Sequence, residues 1–198
     1  MNRASRSLIV LLSFWLSSQS IAAELAQQTY QSLGDQQGKF VDQQGNIGLP
    51  KEYLHHYRQH WTHLGSWIVD DNQAPGYGFH DVYTQPEAAQ AYRDTGEFPD
   101  GTVLVKEVRG VESGVKTTGQ AHWAGGINVW FVMVKDSRNR FSGNNHWGEG
   151  WGWALLKPDD PGKDVSASFS ETCQGCHVPA KNHDWVFVEG YPTLTDTQ

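Results

Sequence analysis

Cys173-Gln174-Gly175-Cys176-His177 constrains this chain more than any other stretch. These are its only two cysteines, and a histidine follows the second directly. Two thiols at this spacing with an adjacent imidazole form the attachment pattern of a c-type haem. Each thiol can add to one vinyl group, and the histidine is placed to bind the iron from one side. One such motif implies one covalent haem per chain, with Cys173, Cys176 and His177 as its holders and His177 as the metal ligand. The other readings of paired cysteines ask for more. A structural zinc site wants four protein ligands, usually two such pairs, and there is no second pair. A thioredoxin-like redox pair belongs near a βαβ unit. This pair lies 22 residues from the last residue of the sequence. A disulfide across two residues would close a tiny loop and add little stability.

The first residues agree with a haem attached outside the cytoplasm. Arg3 and Arg6 precede an apolar run, Leu8-Ile9-Val10-Leu11-Leu12, extended by Phe14, Trp15 and Leu16 and ending in small residues at Ala22 and Ala23. A basic start, a short apolar stretch and a small-residue end describe a secretory signal peptide over 1–23. The alternative is an uncleaved anchor, although the run is short and broken by serine for a bilayer span. The expectation is a periplasmic protein with one domain over 24–198 and no later transmembrane span. The net charge of −7 repels phosphate backbones, so nucleic acid is not an expected partner.

Along the chain, residues 24–33 suit a short helix, and Gly34 to Gly48 reads as loop. Pro50 opens a candidate helix, Lys51 to Trp61, stopped by Gly65. His56, His60 and His63 would share one face of it, a solvated polar face or a metal site. Strands are expected at Trp67–Val69 and Phe79–Tyr83, the second carrying His80. Thr84 and Glu87 suggest a capping box opening a helix from Pro86 to Asp94, with Gly96 as its stop. Thr102 to Val111 is the clearest strand. Val103, Val105, Glu107, Arg109 and Val111 take one face, and Leu104, Lys106 and Val108 the other. Lys106 thus stands between two aliphatic neighbours, where a buried amine is costly unless paired, neutral or covalently used. The plainer reading is a lysine that snorkels to water.

Glu112 to Gly126 reads as a polar loop, Ile127 to Val134 as an apolar strand with Met133, and Asp136 to Gly152 as a long loop. Strands at Trp153–Leu156 and Trp185–Val188 flank a turn at Pro158–Gly162 and the haem segment, Ser166 to His177. Strands and helices alternate poorly, so an α+β fold with a mainly antiparallel sheet and a few short helices is expected.

The haem's sixth position decides its chemistry. Met133 is the one methionine after the signal, and His80, His122 and His146 are histidines that could close the site. A third option is an open position that binds a small nitrogen oxide or nitrogen hydride, or CO.

A resemblance narrows these options. Tyr92-Arg93-Asp94-Thr95-Gly96-Glu97-Phe98-Pro99-Asp100-Gly101-Thr102-Val103-Leu104-Val105-Lys106-Glu107-Val108 resembles the cytochrome P-460 family. So do Val134-Lys135-Asp136-Ser137 with Arg140-Phe141, and the ending Cys173 to His177 followed by Asp184-Trp185-Val186-Phe187 and Tyr191-Pro192. The likeness covers most of 49–194. It implies a β-rich homodimer with a five-coordinate c-type haem. In one branch a strand lysine bonds to the haem edge and the enzyme oxidises hydroxylamine. In the cytochrome c′-beta branch that bond is absent and the haem binds NO or CO. The lysine position falls on Lys106. A distal arginine of hydroxylamine-oxidising members is replaced here by His80, which could donate hydrogen bonds, act as a base or close the site. Asp81 and Glu149 are candidates for a distal carboxylate. The expectation is a hydroxylamine oxidoreductase with His80 and Lys106 in catalytic roles and a soluble cytochrome as electron acceptor. The rivals are an NO- or CO-binding protein and an electron carrier ligated by His80 or Met133.

Overall fold

The computed structural model describes residues 5–195, and within the first helix the described side chains begin at Ile21. The signal-peptide reading rests on Arg3, Arg6 and the run from Leu8, whose side chains lie outside that set. Helix α1 spans Ser5–Phe40. It replaces the short helix at 24–33 and much of the expected loop from Gly34. Leu33, Gln37 and Phe40 are buried at i, i+4 and i+7, the spacing of one helix face. Gly34 and Gly38 fall on the exposed side, where a glycine costs propensity but breaks no contact. Among the described residues, no helix is long and apolar enough to cross a membrane.

Helix α2 (Tyr53–His60) buries Tyr53 and Tyr57. It stops earlier than Trp61, which is already extended at φ −97°, and strand β1 (Thr62–Val69) begins at once. His63 therefore belongs to the strand, and the shared face of His56, His60 and His63 does not form. The described residues contain no cluster of three or more His, Cys, Asp or Glu placed to hold a metal ion. Strand β2 (Gly78–Thr84) and helix α3 (Pro86–Thr95) follow as expected, with Gly96 in the left-handed region at φ +79° as the helix stop. The capping box does not form. The Thr84 hydroxyl donates to the Val103 carbonyl at 2.9 Å, so it is used between strands, and Gln85 is the N-cap.

Strands β3 (Val103–Lys116) and β4 (Gly119–Lys135) make one long hairpin, paired from Val103↔Val134 to Lys116↔Gly119. The polar stretch from Glu112 to Gly126, expected as loop, is its outer arm. Its backbone groups are satisfied across the hairpin, which needs no apolar alternation. The loop after β4 contains the two-residue strand β5 (Trp147–Gly148), then β6 (Trp151–Lys157) and β7 (Asp160–Asp164). In place of a bare turn at Pro158 to Gly162, β6 and β7 form a small hairpin. The sheet is antiparallel, seven-stranded and accompanied by a few short helices, with order β1-β2-β3-β4-β6-β5 and β7 on β6.

Alternation gives the sheet two covered faces. Phe40, Ile47, Leu49, Tyr57 and Trp61 pack on the side of Val103, Val105, Val132 and Val134. Helix α3 and the chain after Ser168 pack on the side of Val82, Leu104, Met133 and Trp153. That last stretch has a π-helical turn (Phe169–Cys173), helix α4 (Gln174–His177) and 3-10 turns at Val178–His183 and Val188–Gly190. The strand expected at Trp185–Val188 does not form, because Asp184 and Trp185 take φ +55° and +65° and break the extended run. The segment sits directly on the sheet. A Cβ at Gly65 would come within 2.1 Å of the Gly190 carbonyl, so only glycine lets the two backbones approach.

Candidate functional site

The second face of the sheet and the C-terminal segment enclose a cavity of about 470 Å³. Its walls are mostly aliphatic and aromatic, and Cys173, Cys176, His177, Lys106, His80 and Met133 all line it. Residues far apart in sequence are thus brought to one place.

Cys173 and Cys176 lie one turn apart, on the π-helical turn and on α4, and both are free thiols. The Ser168 hydroxyl accepts from the Glu171 N–H and caps this segment at its start. Cys173 is buried and Cys176 exposed. Burial pushes the Cys173 thiol up to about 11, so it is a neutral thiol at ordinary pH.

His177 packs edge-on to Trp153 at 4.7 Å between ring centroids, with Phe187 at 5.6 Å. Its Nδ1 lies 2.8 Å from the Trp185 carbonyl. A carbonyl only accepts, so Nδ1 carries the proton and Nε2 keeps its lone pair. Burial pushes this imidazole down to about 4, so it is neutral near pH 7. A neutral imidazole with one nitrogen tied to a carbonyl is the form that binds a metal.

Lys106 stands in the middle of the sheet, on β3, with Val82 and Phe131 as cross-strand neighbours. The snorkelling expected of an edge lysine does not apply. No hydrogen bond or ion pair reaches its ammonium among the described residues, and its Nζ lies 4.3 Å from the Phe131 ring centroid. It keeps some accessible area because it fronts the cavity, yet protein surrounds it. Burial pushes its amine down to about 8, against a smaller upward pull from Cys176 and Cys173. Its charge in turn helps lower both His80 and His177.

His80 faces the cavity from β2, and its Nε2 donates to the Gly76 carbonyl at 2.7 Å. Its Nδ1 is then a bare acceptor, buried with no partner, and burial lowers the ring's pKa. Trp67, its neighbour on β1, leaves its indole N–H buried and without a partner. The two rings meet edge-on at 6.1 Å. A free donor and a free acceptor therefore sit beside each other in an otherwise apolar wall.

The remaining candidates separate. Met133 lines the wall between its cross-strand neighbours Leu104 and Trp153, in a packing position. Asp81 alternates with His80 and so points to the other face, where it accepts from the Ser66 hydroxyl. Glu149 is exposed in the turn between β5 and β6. Neither supplies a distal carboxylate. His122 is exposed on the hairpin arm, and His146 Nδ1 lies 2.8 Å from Asp164 Oδ2, so neither lines the cavity.

Sequence reasoning does not single out Trp67, Trp153, Phe187 or the Trp185 carbonyl. Extending the β1 alternation from Trp67 would find the first. The Trp185 carbonyl has no sequence signal, because its place depends on a backbone turn. As a whole, the site fits a haem. It has an apolar slot, two thiols on one turn, a neutral imidazole with a free Nε2, and unpartnered nitrogens in the wall. The family model described as Cytochrome P460 matches residues 54–188, about two thirds of the chain and the whole of this cavity wall except Tyr191. A comparison with curated proteins gives no match.

Proposed function

The chain belongs to the cytochrome P460 family and is a haem protein of that type; on that premise we propose that it oxidises hydroxylamine to NO or N₂O at a five-coordinate c-type haem. The observation that carries this reading is Lys106, an unpaired amine on a central strand that lines the same cavity as Cys173, Cys176 and His177.

When bound, the haem supplies an iron that holds the substrate nitrogen and accepts its electrons. The two thiols would hold the macrocycle by adding across its vinyl groups, and His177 Nε2 would bind the iron. Lys106, neutral in part at pH 7, would bond to the macrocycle edge, one N–H and one C–H bond giving way to the new N–C bond as two protons and two electrons pass to an external oxidant of the peroxide class; the link would distort the ring and tune its potential. Hydroxylamine gives up protons with its electrons, so its site needs a proton acceptor. His80 Nδ1 is such an acceptor, and the Trp67 N–H is a donor beside it. His80 does not serve as sixth ligand through Nε2 in this arrangement, because that nitrogen donates to Gly76. The signal-like start adds a periplasmic setting, and electrons would leave to a soluble cytochrome.

The direct test is turnover. The haem-loaded protein should consume hydroxylamine with an artificial electron acceptor and yield NO or N₂O. A protein that binds NO and CO but leaves hydroxylamine untouched would belong to the gas-binding alternative.

A further inference from the structure

The carbonyl that orients His177 stands in an uncommon piece of backbone. Trp185 has φ +65° and follows Asp184 at φ +55°. Two consecutive left-handed residues that are not glycine are costly, most of all for a bulky ring, and persist only where the surroundings enforce them. The enforcement is visible. One Asp184 oxygen accepts from the Lys135 ammonium and from the Trp151 indole N–H at 3.2 Å. The other accepts from the Phe98 N–H at 2.9 Å. These donors come from the end of β4, the start of β6 and the loop after α3, so Asp184 is clamped to the sheet from three directions. The Trp185 N–H bonds back to the Ala180 carbonyl at 3.0 Å. Its own carbonyl is then left pointing at His177 Nδ1, 2.8 Å away.

We propose that Asp184, held by Lys135, is the positioning residue for His177: it fixes the left-handed turn that presents the Trp185 carbonyl to Nδ1, and so sets the basicity of the iron-facing nitrogen. The inference rests on the haem reading only in taking His177 as the iron ligand; it does not depend on the substrate. A hydrogen bond from Nδ1–H to a carbonyl makes the imidazole a stronger donor to iron and favours the oxidised state. Loosening it weakens the iron–histidine bond and raises the potential.

The test uses the full haem-loaded chain and two readouts, the iron–histidine stretching band of the ferrous protein and the reduction potential. Asp184→Asn keeps the size but removes the charge and one acceptor oxygen. Lys135→Met removes the clamp from the other side and serves if the first variant folds poorly. Both should move the band to lower frequency and the potential upward, with the haem still attached. Glu107→Gln, which loosens the opposite face of the sheet, should lower the melting temperature without moving the band. A folded Asp184→Asn or Lys135→Met protein with band and potential unchanged would overturn the proposal. So would a Glu107→Gln protein that shifts both equally, since that would reduce the effect to general loosening. Neither result would bear on whether hydroxylamine is the substrate.

Discussion

On the proposed reading, Lys106 would owe its reactivity to the strand beneath it. On a surface its amine would be almost wholly protonated. With burial lowering it to about 8, about one amine in ten is neutral at pH 7, against about three in ten thousand at the ordinary value of 10.5. Only the neutral amine can form a bond to carbon. Formation of the cross-link should therefore speed up as pH rises toward about 8 and level off above it. A time course of cross-linked haem peptide at several pH values checks this, and a rate independent of pH between 6 and 8 would argue against a free amine as the attacking group. At His80 the expected effect is on turnover, not on ligation. His80→Ala should lower hydroxylamine turnover by about 10²–10⁴-fold, the usual worth of a general base, and leave the ferric spin state alone. A change from low to high spin would instead identify His80 as an iron ligand. The alternation of β3 marks Lys106 only as a lysine on an apolar face, its haem role coming from the family resemblance, whereas His177 is legible from the cysteine spacing. Trp67 needs the β1 alternation carried further along the strand, and the Asp184 turn has no sequence signal because it acts through contacts between distant segments.

At the scale of elements, the two faces of β3 have different work. Lys106 lines the cavity, while Glu107, the next residue, is fully buried on the opposite face. There it accepts from the Tyr57 hydroxyl, from Arg58 Nε at 2.6 Å and from Arg109 at 3.4 Å, and Trp130 donates to Tyr57 at 2.9 Å. This network ties α2 to the sheet. Glu107→Leu should destabilise the protein by roughly 3 kcal/mol. That is the low end for breaking a buried ion pair, because Arg58 and Arg109 can turn partly to water; chemical denaturation measures it. The central strands are readable because their apolar alternation is strong. The outer arm reads as loop because Glu112 to Gly126 is polar and glycine-rich, and its extension comes from pairing alone. The capping box at Thr84 is absent for the same kind of reason, since a strand neighbour takes the hydroxyl. The histidine face of α2 is absent because the helix ends at His60, and His63 turns into β1 beside Asp81.

Across the described residues, one sheet carries a packed core on one face and the cavity on the other, where the segment from Phe169 to Leu194 covers it. The homodimer implied by the family resemblance would need an exposed apolar contact, and Val115, near the tip of the hairpin arm, is 81% exposed. Val115→Asp should shift a dimer toward monomer in light scattering at low micromolar concentration, with the haem spectrum unchanged; a dimer unaffected by it would place the interface elsewhere. The central claim is a haem fastened at three points, by Cys173, by Cys176 and by Lys106. Mass spectrometry of the proteolysed haem peptide tests it most directly. The account predicts one product in which the peptides containing Cys173–Cys176 and Lys106 travel together with the haem, and Lys106→Met should release the second peptide. A native haem peptide bearing the two cysteines alone, with the Lys106 peptide free, would contradict it.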